Sequence, residues 1–348
     1  MNEELENNME SKEVENTSEN SLDNFGVENK ISKEIASVSS CANKIRQELK
    51  KVIVGQEEYI NGLILALFTD GHVLIEGVPG IAKTLTAKLL AKTIDTEFQR
   101  IQFTPDLMPA DVTGTSIFNM KKSEFEFKKG PIFSNVVLID EINRSPAKTQ
   151  SSLFEVMEEK QVTVDGITYK MEEPFFVLAT QNPIEQEGTY KLPEAQQDRF
   201  MFKLIVSYPS AEEEFQILKQ FEGDILDERL GNVETVITSK DILLCKRAIP
   251  TVKIGDDLLQ YIANIMDVTR NNPDLYLGAS PRASLALMRG SKAVAALMGR
   301  DFVTPDDIKY ISYWVLNHRI QLHPDREMEG VGLKDVLTNI FESVEIPR

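Results

Sequence analysis

Residues 77–84 read GVPGIAKT, that is Gly77, Val78, Pro79, Gly80, Ile81, Ala82, Lys83 and Thr84. They follow an apolar run at 72–76 and lead into a helical pattern over 84–94, where Leu85 and Leu89, and Leu90 and Ile94, recur at i,i+4 spacing. A strand, a glycine-rich turn and a helix in that order make a phosphate-binding loop, because backbone N–H groups and the positive end of a helix both favour a polyanion. Lys83 is then expected to reach the β and γ phosphates of a nucleotide, and the Thr84 hydroxyl to ligate Mg²⁺. The loop departs from the usual pattern at Ala82, where glycine is expected before the lysine.

Downstream, the run 135–139 ends in Asp140 and Glu141. Two carboxylates at the carboxyl end of a buried strand lie where open α/β sheets bind ligands. Successive strand side chains point to opposite faces, so the pair suits two tasks. Asp140 is expected to hold the Mg²⁺ shell and Glu141 to polarise an attacking water. A further strand over 175–180 ends in Gln181, Asn182 and Pro183, which puts an amide where it can sense a γ phosphate or the lytic water. Arg282 follows Ser280 and Pro281, a good N-cap and N1 pair, so it falls in the first turn of a helix. A cation there opposes the helix dipole, which makes sense when the arginine faces a bound phosphate.

These motifs sit in an orderly chain of 348 residues. Residues 1–34 are expected to be an acidic disordered tail, since Glu, Asn and Ser dominate and little apolar surface offsets the ordering entropy. Residues 35–208 alternate short apolar runs with helical periodicity, the mark of an α/β unit with a mostly parallel sheet flanked by helices. Strands are expected at 72–76, 99–103, 136–140, 175–180 and 201–206. Two hairpins, at 116–128 and at 161–170 with its turn at Asp165-Gly166, are expected to project from that sheet as insertions. After Tyr208-Pro209 the strand pattern stops, and residues 209–348 read as a smaller all-helical unit with helices at 211–221, 256–269, 281–297 and 304–318. The last opens with Thr304, Pro305, Asp306 and Asp307, a Thr N-cap with acids in the first turn.

GVPGIAKT, VVLIDEINR, FFVLATQNP, LPEAQQDRF and GASPRA, in that order, resemble the MoxR family of AAA+ ATPases over nearly the whole chain from about residue 40. In that family Ala82 is an expected variant of the loop. The resemblance implies an AAA+ core followed by a helical lid, with ATP and Mg²⁺ as the bound species. It implies Lys83 and Thr84 as Walker A, Asp140 and Glu141 as Walker B, Asn182 as sensor 1, Arg199 of Asp198-Arg199-Phe200 as the arginine finger and Arg282 as sensor 2. Val54, Gly55 and Gln56 resemble the segment that flanks adenine, with Leu85 included among the nucleotide-binding residues. Gln102 resembles the residue that restrains the catalytic glutamate in related ATPases, and Arg144 is a second candidate for the finger. The two hairpins match the helix-2 and pre-sensor-1 inserts of the clade that includes magnesium-chelatase subunits and replicative helicases. The resemblance also implies hexameric rings of identical chains, acting on clients with a von Willebrand factor A domain.

Composition narrows the partners. The formal charge of -17 argues against a surface built to wrap nucleic acid, because phosphate binding rests on clustered Lys and Arg. Cys41 and Cys245 stand far apart in the sequence with no metal-ligand spacing, so neither a disulfide framework nor a zinc site is expected and a reducing cytoplasm fits. The apolar run 62–68 is far short of the roughly 18 residues of a membrane span, and the acidic start lacks a signal-peptide pattern. A membrane is therefore expected to be reached only through a partner. Of three readings, an ATP-driven remodelling factor for proteins leads. A nucleic-acid motor of the same clade would use Lys121, Lys122, Lys128 and Lys129 of the first hairpin, although Glu124 and Glu126 interleave with them. A switch that binds ATP without turnover would have no use for Glu141.

Overall fold

The computed structural model describes residues 31–182, 190, 192–222 and 226–347. Most of the expected tail, and Pro183 of the Gln-Asn-Pro sequence, lie outside the described residues. Residues 31–34, assigned above to the tail, instead open helix α1 over 31–50, where Ile35, Val38, Ala42, Ile45 and Leu49 form one buried stripe.

The core then runs α2 (Glu57–Phe68), β1 (Val73–Gly77), α3 (Lys83–Thr93), β2 (Phe98–Gln102), α4 (Pro109–Thr113), β3 (Gly114–Asn119) and β4 (Glu124–Lys129). It continues with β5 (Val136–Asp140), α5 (Ala147–Glu159), β6 (Gln161–Val164), β7 (Ile167–Lys170), β8 (Phe176–Gln181), α6 (Glu194–Gln197) and β9 (Phe202–Val206). Five strands pair in parallel in the order β2-β5-β8-β1-β9. Each expected strand lies within one residue of its place. Both faces of the sheet are covered at its centre, so β5 and β8 read as nearly continuous apolar runs, whereas the edge strand β2 does not. Val136 and Leu138 enter one hydrophobic cluster while Val137 and Ile139 enter the other.

The strand order places three strand ends side by side. β8 lies between β5 and β1, so the loop after β1, the carboxylates after β5 and the amide after β8 open onto the same edge. Gly77 ends β1 hard against β9: a Cβ there would lie 2.7 Å from the Val206 carbonyl oxygen. The hairpins β3–β4 and β6–β7 stand outside the sheet as two-stranded ladders, the second turning at Asp165 and Gly166, both with positive φ. Phe127 of one hairpin stacks on Tyr169 of the other at 4.4 Å, so the two insertions lean on each other.

The remaining elements are α7 (Ala211–Phe221), α8 (Leu226–Gly231), α9 (Ser239–Ala248), α10 (Asp256–Asn271), β10 (Leu275–Leu277), α11 (Pro281–Leu297), α12 (Pro305–Leu316), β11 (Gln321–Leu322), α13 (Pro324–Met328) and α14 (Leu333–Ser343). The unit is helical as expected, with one correction: β10 and β11 form a short antiparallel ladder. At three and two residues these strands are too short to show an alternating pattern. At the start of α12 the Asp307 carboxylate accepts from the Thr304 N–H at 2.7 Å and from its hydroxyl at 2.9 Å. Cys41 and Cys245, distant in sequence, meet as buried thiols between α1 and α9. Among the described residues no helix is long and apolar enough to cross a membrane.

Ala82 is the one residue of the phosphate loop other than glycine with a positive φ, at φ 60 and ψ 20. This left-handed region costs a residue with a Cβ about 1–2 kcal/mol, which is why glycine is the usual occupant. Ala82→Gly is expected to raise stability by about 1 kcal/mol, less the extra freedom it gives the unfolded chain, without weakening ATP binding. Urea midpoints and ATP titrations of the two proteins check this; a lower midpoint for the glycine variant would contradict it.

Candidate active site

The phosphate end of the site is a cavity of about 390 Å³ between the loop after β1 and the ends of β5 and β8. Lys83, Thr84, Asp140, Glu141 and Asn182 all line it. Lys83 Nζ donates to the Gly77 carbonyl at 2.6 Å, curling over its own loop. Burial pulls the Lys83 ammonium below the ordinary lysine range, and the carboxylates of Asp140 and Glu141 push back against that shift.

Register explains how the carboxylates are held. Ile139 pairs with Ala179, so the next residues, Asp140 and Thr180, stand level on neighbouring strands. The Thr180 hydroxyl donates to Asp140 Oδ1 at 3.0 Å and accepts from the Glu141 N–H at 3.0 Å. Arg100, from β2, donates through Nε to Asp140 Oδ2 at 2.6 Å. Glu141 itself takes up φ 57, a turn that swings its side chain out of the strand direction, and its Oε2 lies 3.1 Å from Arg144 Nε. Arg144, the second candidate for the finger, therefore attends the glutamate of its own chain. Gln102 lines the same cavity but its Oε1 accepts from Arg100 Nη2 at 3.2 Å; the structure does not pair it with Glu141.

The base end is a second cavity of about 450 Å³. Val54, Gln56, Pro79, Gly80, Ile81, Ala82 and Leu85 line it from the core, and Tyr208, in the segment after β9, closes it together with Ile217, Leu218 and Phe221 of α7. Its lining is largely apolar, as suits a planar heterocycle. Gln56 Nε2 donates to the Ile81 carbonyl at 3.3 Å and so ties the 54–56 segment to the phosphate loop. Gly55, at φ 65, does not line the cavity; it makes room for the Glu213 side chain, which would collide with a Cβ at that position. Gly77 and Val78 likewise shape the loop from behind rather than line either cavity.

Arg199 and Arg282 are elsewhere. They meet on Glu158 of α5, where Arg199 Nη1 pairs with Oε2 and Arg282 Nη2 donates to Oε1 at 2.9 Å. Both line a separate cavity of about 340 Å³ with Arg289 and Arg319. Within this chain Arg282 faces the Glu158 carboxylate and does not line the phosphate cavity.

Sequence reasoning passed over Arg100, Thr180 and the α7 residues. Arg100 sits two residues before Gln102 on the same strand face, and Thr180 immediately precedes the Gln-Asn pair, so both signals were available. Ile217 and Phe221 form an i,i+4 pair on α7.

Fold and site together define a P-loop ATPase of the AAA+ class. Residues 72–202 match the model of the ATPase family associated with various cellular activities (AAA), and residues 267–340 match that of an AAA lid domain. The chain is 40% identical over 314 residues to the chaperone MoxR1 of Mycobacterium tuberculosis, covering 86% of this chain and 81% of that one. It is 47% identical over 304 residues to the uncharacterised protein YeaC of Bacillus subtilis, covering 87% and 94%. A crystal structure from Cytophaga hutchinsonii, of a protein proposed to be an ATPase, superposes with a TM-score of 0.84 at 44% identity, covering 91% and 98%. The chain belongs to the MoxR family of AAA+ ATPases.

Proposed function

We propose that this chain hydrolyses ATP with Mg²⁺ and uses the cycle to remodel or assemble partner proteins, working as a ring of six copies. The observation that carries the reading is the convergence of Lys83, Thr84, Asp140, Glu141 and Asn182 on one cavity beside an apolar one of base size. Glu141 accepts the proton of the attacking water and Asn182 orients that water or the γ phosphate. Lys83 and the N–H groups of the loop balance the charge of the transferring phosphoryl group. The donor set fits Mg²⁺: Thr84 and the Asp140 carboxylate, braced by Thr180 and Arg100, are the hydroxyl and acid that such sites pair with phosphate oxygens. Bound there, the ion supplies neutralisation of β and γ phosphate charge.

Arg199 and Arg282, remote from their own phosphate cavity, read as groups given to the site of the next subunit. A protein client is favoured by the tip of the first hairpin. Met120 is 87% and Phe125 72% exposed there, while Lys122 is paired with Glu126 on its own hairpin. An apolar tip with its charge cancelled suits a polypeptide better than a phosphate backbone. We extend the proposal to clients with a von Willebrand factor A domain, the class that the family resemblance implies.

Chelation tests the catalytic reading. Release of phosphate from ATP is expected to fall at least about 100-fold in EDTA and to return with added Mg²⁺. Turnover that ignores the chelator would reject it.

A further inference from the structure

Asp198 is the last residue before Arg199, and its carboxylate is where the core and the helical unit meet. It accepts from the Ser280 hydroxyl at 3.0 and 3.2 Å and from Arg319 Nε at 2.7 Å. Ser280 precedes α11, and Arg282 lies in that helix's first turn. Ser280 has the backbone of an N-cap, yet its hydroxyl does not cap α11. It gives up the usual use of a serine at that position and donates across the boundary instead.

Arg319 holds the other side. Its side chain is only 3% exposed. Besides Asp198 Oδ1 it donates to the carbonyl oxygens of Asp198 at 3.1 Å, Phe200 at 2.6 Å and Met201 at 3.0 Å, and to Val315 in α12 at 2.6 Å. The guanidinium fork therefore fixes the backbone on both sides of Arg199. A buried cation with this many acceptors is costly to misplace, so the 198–201 turn and the end of α12 move as one piece.

We propose that Asp198 is a positioning residue that binds Arg199 and Arg282 into a single unit, with Ser280 and Arg319 as its two anchors, so that a shift of the helical unit moves both arginines together. This rests on the reading that the two arginines serve a neighbouring subunit. Glu158 completes the unit from below by pairing with both side chains. The consequence is that a change at Ser280 harms the neighbour's site and leaves its own intact. It lowers the rate constant without changing the KM for ATP, since each chain binds ATP on its own loop.

The test uses rings mixed from two inactive chains, Arg199→Ala, which keeps a working base, and Glu141→Gln, which keeps a working finger. Ser280→Ala is added to one or the other. Placed in the Glu141→Gln chain it is expected to lower the recovered turnover about tenfold at unchanged KM, the loss of hydrogen bonding to a charged group. Placed in the Arg199→Ala chain it is expected to change nothing. Arg319→Lys, which keeps the charge but loses the fork, should show the same asymmetry more strongly. Equal effects in both chains, or none in either, overturn the proposal and leave the shared site standing. If the parent mixture recovers no activity, the shared site itself falls and the proposal falls with it.

Discussion

Lys83→Ala is expected to bind ATP about 100-fold more weakly, whereas Glu141→Gln keeps the affinity and loses about 10²- to 10⁴-fold in hydrolysis. The two substitutions separate because the side chains act at different stages. Lys83 reaches into the phosphate cavity as a half-buried ammonium, and losing it leaves phosphate charge without its partner. Glu141 shares that cavity, and as the proposed base it would serve only the attacking water, so its amide isostere is expected to preserve the bound state and remove the base. Isothermal titration with ATP and single-turnover phosphate release measure the two effects. Equal affinity for wild type and Lys83→Ala would sink the phosphate-loop assignment, and normal turnover by Glu141→Gln would sink the choice of base.

The core of the fold was legible because its central strands are buried on both faces. A run such as VVLID, apolar until its final carboxylate, reports both the strand and the place where it meets ligand. The phosphate loop was legible for a similar reason, since strand, glycine turn and helix start each leave a local mark. What stayed hidden depends on reach or on packing between distant elements. Arg100 is an exposed strand residue until one sees it donate to Asp140 on the next strand. Thr180 looks like an ordinary strand residue until the register sets it level with Asp140. Helix-start chemistry says that Arg282 faces an anion, but not which one. The anion it meets in this chain is Glu158, 124 residues away in sequence, a pairing that no local pattern announces. Ser280 shows the same limit, being an N-cap by pattern whose hydroxyl is spent elsewhere.

The second large effect concerns that arginine pair. Arg199→Ala is expected to lower turnover about 10³- to 10⁵-fold while ATP remains bound, because a finger acts on transition-state charge and not on the ground state. Arg199 does not line its own chain's phosphate cavity, so on the proposed reading the loss is expected in a neighbour's site. In a head-to-tail ring each site joins the base of one chain to the finger of the next. Mixing Arg199→Ala chains with Glu141→Gln chains should then restore activity that neither has alone. At equal amounts roughly a quarter of the interfaces pair an intact base with an intact finger, which sets the ceiling for recovery if mixing is random. Turnover per chain should also rise with protein concentration as rings assemble, and the Arg199→Ala chain alone should stay inactive however concentrated it is. Either of two results would move the finger to another residue: mixed rings that form and bind ATP but recover nothing at any ratio, or an Arg199→Ala chain that is fully active alone. Arg144 would not inherit the role easily, since it already lies 3.1 Å from the Glu141 carboxylate of its own chain.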